Sequence, residues 1–148
     1  MVISVEQQAT SYPLPAYNFR VNRAGQTMRF AKVSGLQREH KVLTYRDGLS
    51  FLDGELIARY HIDQYASVTL EQGVVQGDSS LHVWLDDSET RPMEVQLCNA
   101  KGVPVLAWRM ARTIPIKITA PSFDAKSNEV AIDVMEIKAS GISIVSLT

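Results

Sequence analysis

Alternation of apolar and polar residues with a period of two runs through most of this chain, and it restricts the fold to short, mainly antiparallel strands. The pattern is strongest between residues 129 and 139. Val130, Ile132 and Val134 alternate with Glu129, Ala131 and Asp133, as in a half-buried strand. At Met135 the phase reverses: Met135, Ile137 and Ala139 are apolar, Glu136 and Lys138 polar. A one-residue shift of the apolar set predicts either a bulge near Val134-Met135 or a strand covered on both faces. Either suits a curved or closed sheet. The preceding Pro121–Asn128 mixes Pro, Ser, Asp and Asn, which satisfy local backbone groups, and reads as an ordered loop.

The same period recurs in both directions along the chain. Tyr12-Pro-Leu-Pro-Ala16 enters extended because each proline disfavours helix in its predecessor. Tyr17, Phe19 and Val21 form a strand, Ala24-Gly25 a turn, and Met28 to Val33 the returning strand. Leu36 to Tyr45 is a third extended segment, ended by Asp47-Gly48. Leu49 to Gln64 reads as a long hairpin excursion whose open edge offers backbone to another subunit, with a mobile surface loop as the alternative. Its apolar positions Phe51, Leu52, Leu56, Ile57 and Tyr60 are the candidate subunit-interface residues. Tyr65 to Glu71 is a strand with Ala66, Val68 and Leu70 inward. Met93, Val95 and Leu97 mark another, Asn99 to Gly102 a turn, and Leu106, Trp108 and Met110 the return. Ile114, Ile116 and Ile118 mark a further strand that Pro115 bars from pairing fully on both sides, and Ile142 to Leu147 a last one.

One helix is predicted, over Asp78 to Asp87. Asp78 or Ser79 caps it, and Leu81, Trp84 and Leu85 form one apolar stripe. Asp86, Asp87 and Glu89 stand where the helix dipole disfavours negative charge, so the helix stops near Asp87 and these acids read as a solvated end. Eight or nine short strands with one flanking helix describe a mainly β fold, an antiparallel barrel or sandwich.

A chain of 148 residues is read as a single domain, with residues 1–11 a flexible or partner-docked arm. Its net charge of -1 gives no general attraction to nucleic acid or anionic membrane. Cys98 is the single cysteine, which excludes an internal disulfide and reads as a small buried side chain. His40, His61 and His82 are scattered without metal-ligand spacing, and no nucleophile elbow or phosphate loop occurs. The residues therefore predict no catalytic group, no metal and no cofactor. Trp84 and Trp108 read as core anchors. With no signal-like leader and no apolar run long enough to span a bilayer, folding is expected in the cytoplasm of the producing cell, without membrane binding.

Several segments, taken in order, resemble a known family. They are Tyr12-Pro-Leu-Pro with Tyr17-Asn-Phe-Arg-Val21, Val33-Ser-Gly-Leu36, Tyr45-Arg-Asp-Gly48, Val68-Thr-Leu with Gly73-Val74, Leu81 to Leu85 with Trp84, Asn99 to Gly102 ahead of Trp108, Pro115, and Pro121 to Ala131. In order and spacing the chain resembles the inner tail-tube proteins of contractile-tailed phages and phage-derived contractile injection particles, which are related in fold to the type VI secretion tube protein. The resemblance implies a barrel flanked by one helix, six copies closing a ring, and rings stacking into a hollow tube. Its implied partners are further copies of itself, sheath and baseplate or spike proteins, and a payload in the lumen. Three departures stand in segments that lie near subunit contacts in the family: Glu71-Gln72 where a Lys-Arg pair is usual, Ala111-Arg-Thr-Ile-Pro115, and the lack of a Leu-Pro-Gly turn between Gly48 and Tyr65. They leave a tube-initiating ring between spike and tube as the alternative, and a monomeric ligand-binding β-barrel as the alternative of another class.

Overall fold

The computed structural model describes residues 13–39, 41–45, 56–60 and 65–147, the second and third of these segments at the level of the backbone. The strands are β1 (Phe19–Arg23), β2 (Gln26–Met28), β3 (Lys32–Ser34), β4 (Lys41–Tyr45), β5 (Leu56–Tyr60), β6 (Ala66–Gly73), β7 (Arg91–Cys98), β8 (Pro104–Thr119) and β9 (Ile132–Ser146); the helix α1 is Ser80–Leu85. Seven strands form one antiparallel sheet in the order β2-β1-β7-β8-β9-β6-β3, and β4-β5 form a separate pair.

The connection from β2 to β3 sets the shape of that sheet. The two strands occupy its opposite edges yet are joined by Arg29–Ala31 alone, a link that reaches roughly 15 Å at full extension. The edges must therefore curl towards each other. The sheet rolls into an open barrel with no hydrogen-bonded seam among the described residues. The link is pinned by the Ala31 amide on the Glu71 carbonyl at 2.7 Å and by Gln72 Nε2 on the Arg29 carbonyl at 2.6 Å. The continuous Met28–Val33 strand read from sequence is thus two strands, because one strand cannot pair with both edges. The preceding turn is as expected: Ala24 and Gly25 both have positive φ, 49° and 83°, which lets a two-residue hairpin follow the strand twist.

β8 and β9, of 16 and 15 residues, form a ribbon that joins the two halves of the barrel. Near the β8 N-terminus, β8 pairs with β7 on its other side; towards the β9 N-terminus, β9 pairs with β6. Each therefore fuses two strands that the sequence reading kept apart. Pro115 lies beyond the last β7 partner of β8, Arg91↔Thr113, and pairs with Ile137 alone, as its missing N–H requires.

The phase reversal in β9 is the second of the two predicted cases, a strand covered on both faces, and not a bulge in β9. The register with β6 is unbroken from Gly73↔Ile132 to Ala66↔Ala139. The irregularity sits on β8, between Pro115 and Lys117, where Ile116 is left without a counterpart and is exposed. The strand begins only at Ile132, so Val130 belongs to the loop and is 76% exposed. Ile132 and Val134 are half-buried, whereas Met135, Ile137 and Ala139 are fully buried. Their core neighbours are Val21, Val68, Leu70, Met93 and Met110. A register shift between Leu97 and Cys98 accompanies the burial of Cys98.

Helix α1 has six residues, too few to be stable alone, and is held by burial of Leu81 and Trp84 in the core. Asp78 Oδ1 accepts the Ser80 amide at 3.0 Å, while the Ser79 hydroxyl makes no capping bond. Of the two predicted caps, Asp78 is the one used.

Candidate assembly surfaces

The β8–β9 ribbon gives the molecule two poles. At one, the 120–131 loop joins the strands beyond Thr119↔Val134; at the other lie Leu106↔Ser146 and the Asn99–Val103 turn. Thirteen residues of strand separate them, roughly 40 Å along the ribbon.

The loop pole is built from local backbone capture. Asp124 Oδ1 accepts the Lys126 amide at 3.0 Å, the Asp124 carbonyl the Ser127 amide at 3.0 Å, and Ser127 Oγ the Glu129 amide at 3.1 Å. With its polar groups so engaged, the loop is ordered as its composition predicts. It presents Phe123, 87% exposed, and Val130. The Val74 amide bonds the Ala131 carbonyl at 2.9 Å, which adds exposed Val74 and Val75 to the same pole. Clustered exposed apolar side chains of this kind mark contact surfaces.

At the turn pole, Asn99 Oδ1 accepts the amides of Lys101 at 2.9 Å and Val103 at 3.1 Å, and Gly102 takes φ of 79°. Asn18 Nδ2 and Arg20 tie β1 to this turn through the carbonyls of Asn99 and Gly102. Tyr17, 84% exposed, precedes Asn18 at this pole, and Val103 in the turn is exposed as well. A surface groove of about 690 Å³ lies between β3 and strands β1, β7 and β8, lined by Leu14, Phe19, Val33, Leu36, Leu97 and Trp108. Trp108 is thus half-buried in a groove wall and not the full core anchor expected; Trp84 is, at 2% exposure.

Of the acids after α1, Asp86 and Glu89 are exposed as expected, whereas Asp87 is not a solvated end. Asp87 Oδ2 accepts Arg91 Nε at 2.6 Å and an Arg23 guanidinium N–H at 2.8 Å, joining the helix end to β7 and β1. Arg91, then the Glu89 amide, then Arg23 hold the Asp87 carboxyl down at about 2, and Asp87 in turn raises Arg91. The Arg23 guanidinium lies 4.5 Å above the Trp84 ring, so the charged pair and the core anchor form one clamp. Arg91 stands four residues from Asp87, a spacing readable in sequence; Arg23 is brought in only by the fold.

Three of the five predicted interface residues fall in the β4–β5 pair. Leu56, Ile57 and Tyr60 lie on β5 opposite Tyr45, Thr44 and Lys41, so Leu49–Gln64 does contain the returning arm of a hairpin. Phe51 and Leu52 lie outside the described residues, as do His40 and His61. His82 is largely exposed, 3.9 Å from Asp133. Among the described residues no group of three His, Cys, Asp or Glu side chains could hold a metal ion, and no helix is long and apolar enough to cross a membrane.

The family model of the T4-like virus tail tube protein gp19 matches residues 15–143. This chain belongs to that tail tube family. A chain of the PVC extracellular contractile injection system sheath–tube complex in the extended state is 28% identical, with TM-score 0.89 over 99% of this chain and 100% of that one. A chain from the anti-feeding prophage tube-terminating cap is 27% identical, with TM-score 0.84 over 99% and 96%. The Hcp1 protein of Flavobacterium johnsoniae, 15% identical with TM-score 0.54 over 86% and 94%, shares the fold. No curated protein sequence matches. The tail tube family member described here is homologous to tube proteins of contractile injection systems, and its open rolled barrel with one flanking helix is the tail-tube fold.

Proposed function

We propose that this protein is the repeated subunit of the inner tube of a phage-tail-like contractile injection apparatus. Six copies close a ring and rings stack into a conduit, made in the producing bacterium's cytoplasm and later enclosed by sheath on a baseplate. The observation that carries the reading is mutual coverage with a chain of the PVC sheath–tube complex, over 99% of this chain and 100% of that one at TM-score 0.89. A payload occupies the lumen, and the protein itself performs no catalysis. The chain acts as one domain whose arm, residues 1–11, docks on a neighbouring copy.

The β4–β5 hairpin is the lateral contact in this proposal. Among the described residues it forms no ladder with the main sheet, which leaves its outer edges available to a neighbour, with Phe51, Leu52, Leu56, Ile57 and Tyr60 supplying apolar area. Multi-angle light scattering of the purified chain should give a species near six times 16.5 kDa, or rods. A strict monomer at high concentration would refute the tube reading. Deletion of Phe51–Tyr60 should leave a folded barrel by circular dichroism and abolish rings; intact rings would reject the hairpin as the lateral contact.

A further inference from the structure

We infer that the two poles of the β8–β9 ribbon are complementary, so that the 120–131 loop of one copy seats against the Asn99–Val103 turn pole of a copy in the next ring. The inference rests on the tube reading and names the surfaces that stack it.

Each pole presents an exposed aromatic ring among exposed aliphatics: Phe123 with Val130 on the loop, Tyr17 with Val103 on the turn. Their charges are opposite. The loop pole carries Asp124, Glu129 and, through the turn that bonds the Asp78 amide to the Val75 carbonyl, Asp78, against Lys126. The segments that meet at the turn pole, residues 13–20, 35–39, 95–108 and 139–147, contain Arg20, Arg38 and Lys101 against one carboxylate, Glu39. A negative apolar knob and a positive apolar seat attract each other, while like poles repel and so reject the inverted orientation.

The arrangement also selects an open assembly. Two different surfaces make a heterologous contact, which must either close into a ring or continue indefinitely. Surfaces at opposite ends of a ribbon roughly 40 Å long repeat along it, so the contact propagates as a stack. Ring closure is left to the hairpin. Both poles are rigidly made, the loop by the Asp124 and Ser127 side chains and the turn by Asn99, so little ordering cost falls on docking.

Charge exchange tests this on the full-length protein, with rods counted by negative-stain microscopy and sedimentation. Glu129→Lys and Lys101→Glu should each raise the concentration needed for stacking by about tenfold while single rings persist, and the double variant should recover stacking. A second arm uses Phe123→Cys with Val103→Cys. The two sites lie at opposite poles of one copy, so any disulfide between them joins separate copies, and oxidation should give a ladder extending beyond six subunits. The single-cysteine variants, with Cys98 buried, should give none. Unchanged rods in Phe123→Ser and in both charge variants, with no ladder, would overturn the pole pairing and leave the tube reading standing. A wild type that remains monomeric overturns both.

Discussion

Val130 and Ile137 lie seven residues apart, and both are β-branched residues preferred in strands, yet one is 76% exposed and the other fully buried. Ile137 sits on β9 between β6 and β8, opposite Val68 and Pro115, with a covered face. Val130 sits before the first β9 pair, on the loop pole beside Phe123. Hydrophobicity is the same currency in both places, spent on folding at one and left available for association at the other. Substitutions in the two regions should therefore separate stability from assembly.

The largest effect on the monomer is expected in the ribbon core. Ile137→Ala should cost about 2–5 kcal/mol in denaturant melts of unassembled protein, since a packed isoleucine loses transfer energy and leaves a cavity. Ile132→Ala, at a half-buried position, should cost less than half as much; equal losses would contradict the burial difference. Next comes Gly35→Ala. Gly35 has φ of 92° and packs on β6 so closely that a Cβ would run into the Ser67 carbonyl, and about 1–3 kcal/mol of strain is expected. A neutral melt would show that β3 can move away from β6.

The clamp at Asp87 should have a smaller, pH-dependent effect. Its carboxyl is held at about 2 against an ordinary 3.8, so its contribution is fully present above about pH 4 and is lost as pH falls through about 2. Asp87→Asn should lower the melting temperature at pH 7 and remove that part of the acid dependence; a wild-type acid profile in the variant would show that the carboxylate is not the clamp. The smallest monomer effect is expected at the loop pole. Phe123→Ser and Val130→Ser should change stability by no more than about 0.5 kcal/mol, as exposed substitutions do, while reducing rod formation. A loss of several kcal/mol there would erase the contrast between core and pole.

Much of this molecule is set by local rules that sequence alone determines. The period-2 runs locate most strands, Ala24-Gly25 and Asn99–Gly102 specify their turns, Leu81 and Trp84 mark the buried face of the helix, and Asp124 and Ser127 order the loop. Each depends on residues a few positions apart. The resemblance of ordered segments was likewise legible, and it named the family that the full-chain comparison supports. What only the tertiary structure decided involves pairing between distant segments: β2 and β3 on opposite edges, the fusion of four short strands into β8 and β9, and cover on both faces of β9 in place of a bulge at Val134-Met135. The same holds for Arg23 reaching Asp87 over Trp84. The physical reason is that alternation specifies which side chains share a face and leaves open which strand lies alongside. Strand adjacency is chosen by competition among long-range pairings, and a chain link as short as Arg29–Ala31 reveals its constraint only once the edges it must join are known.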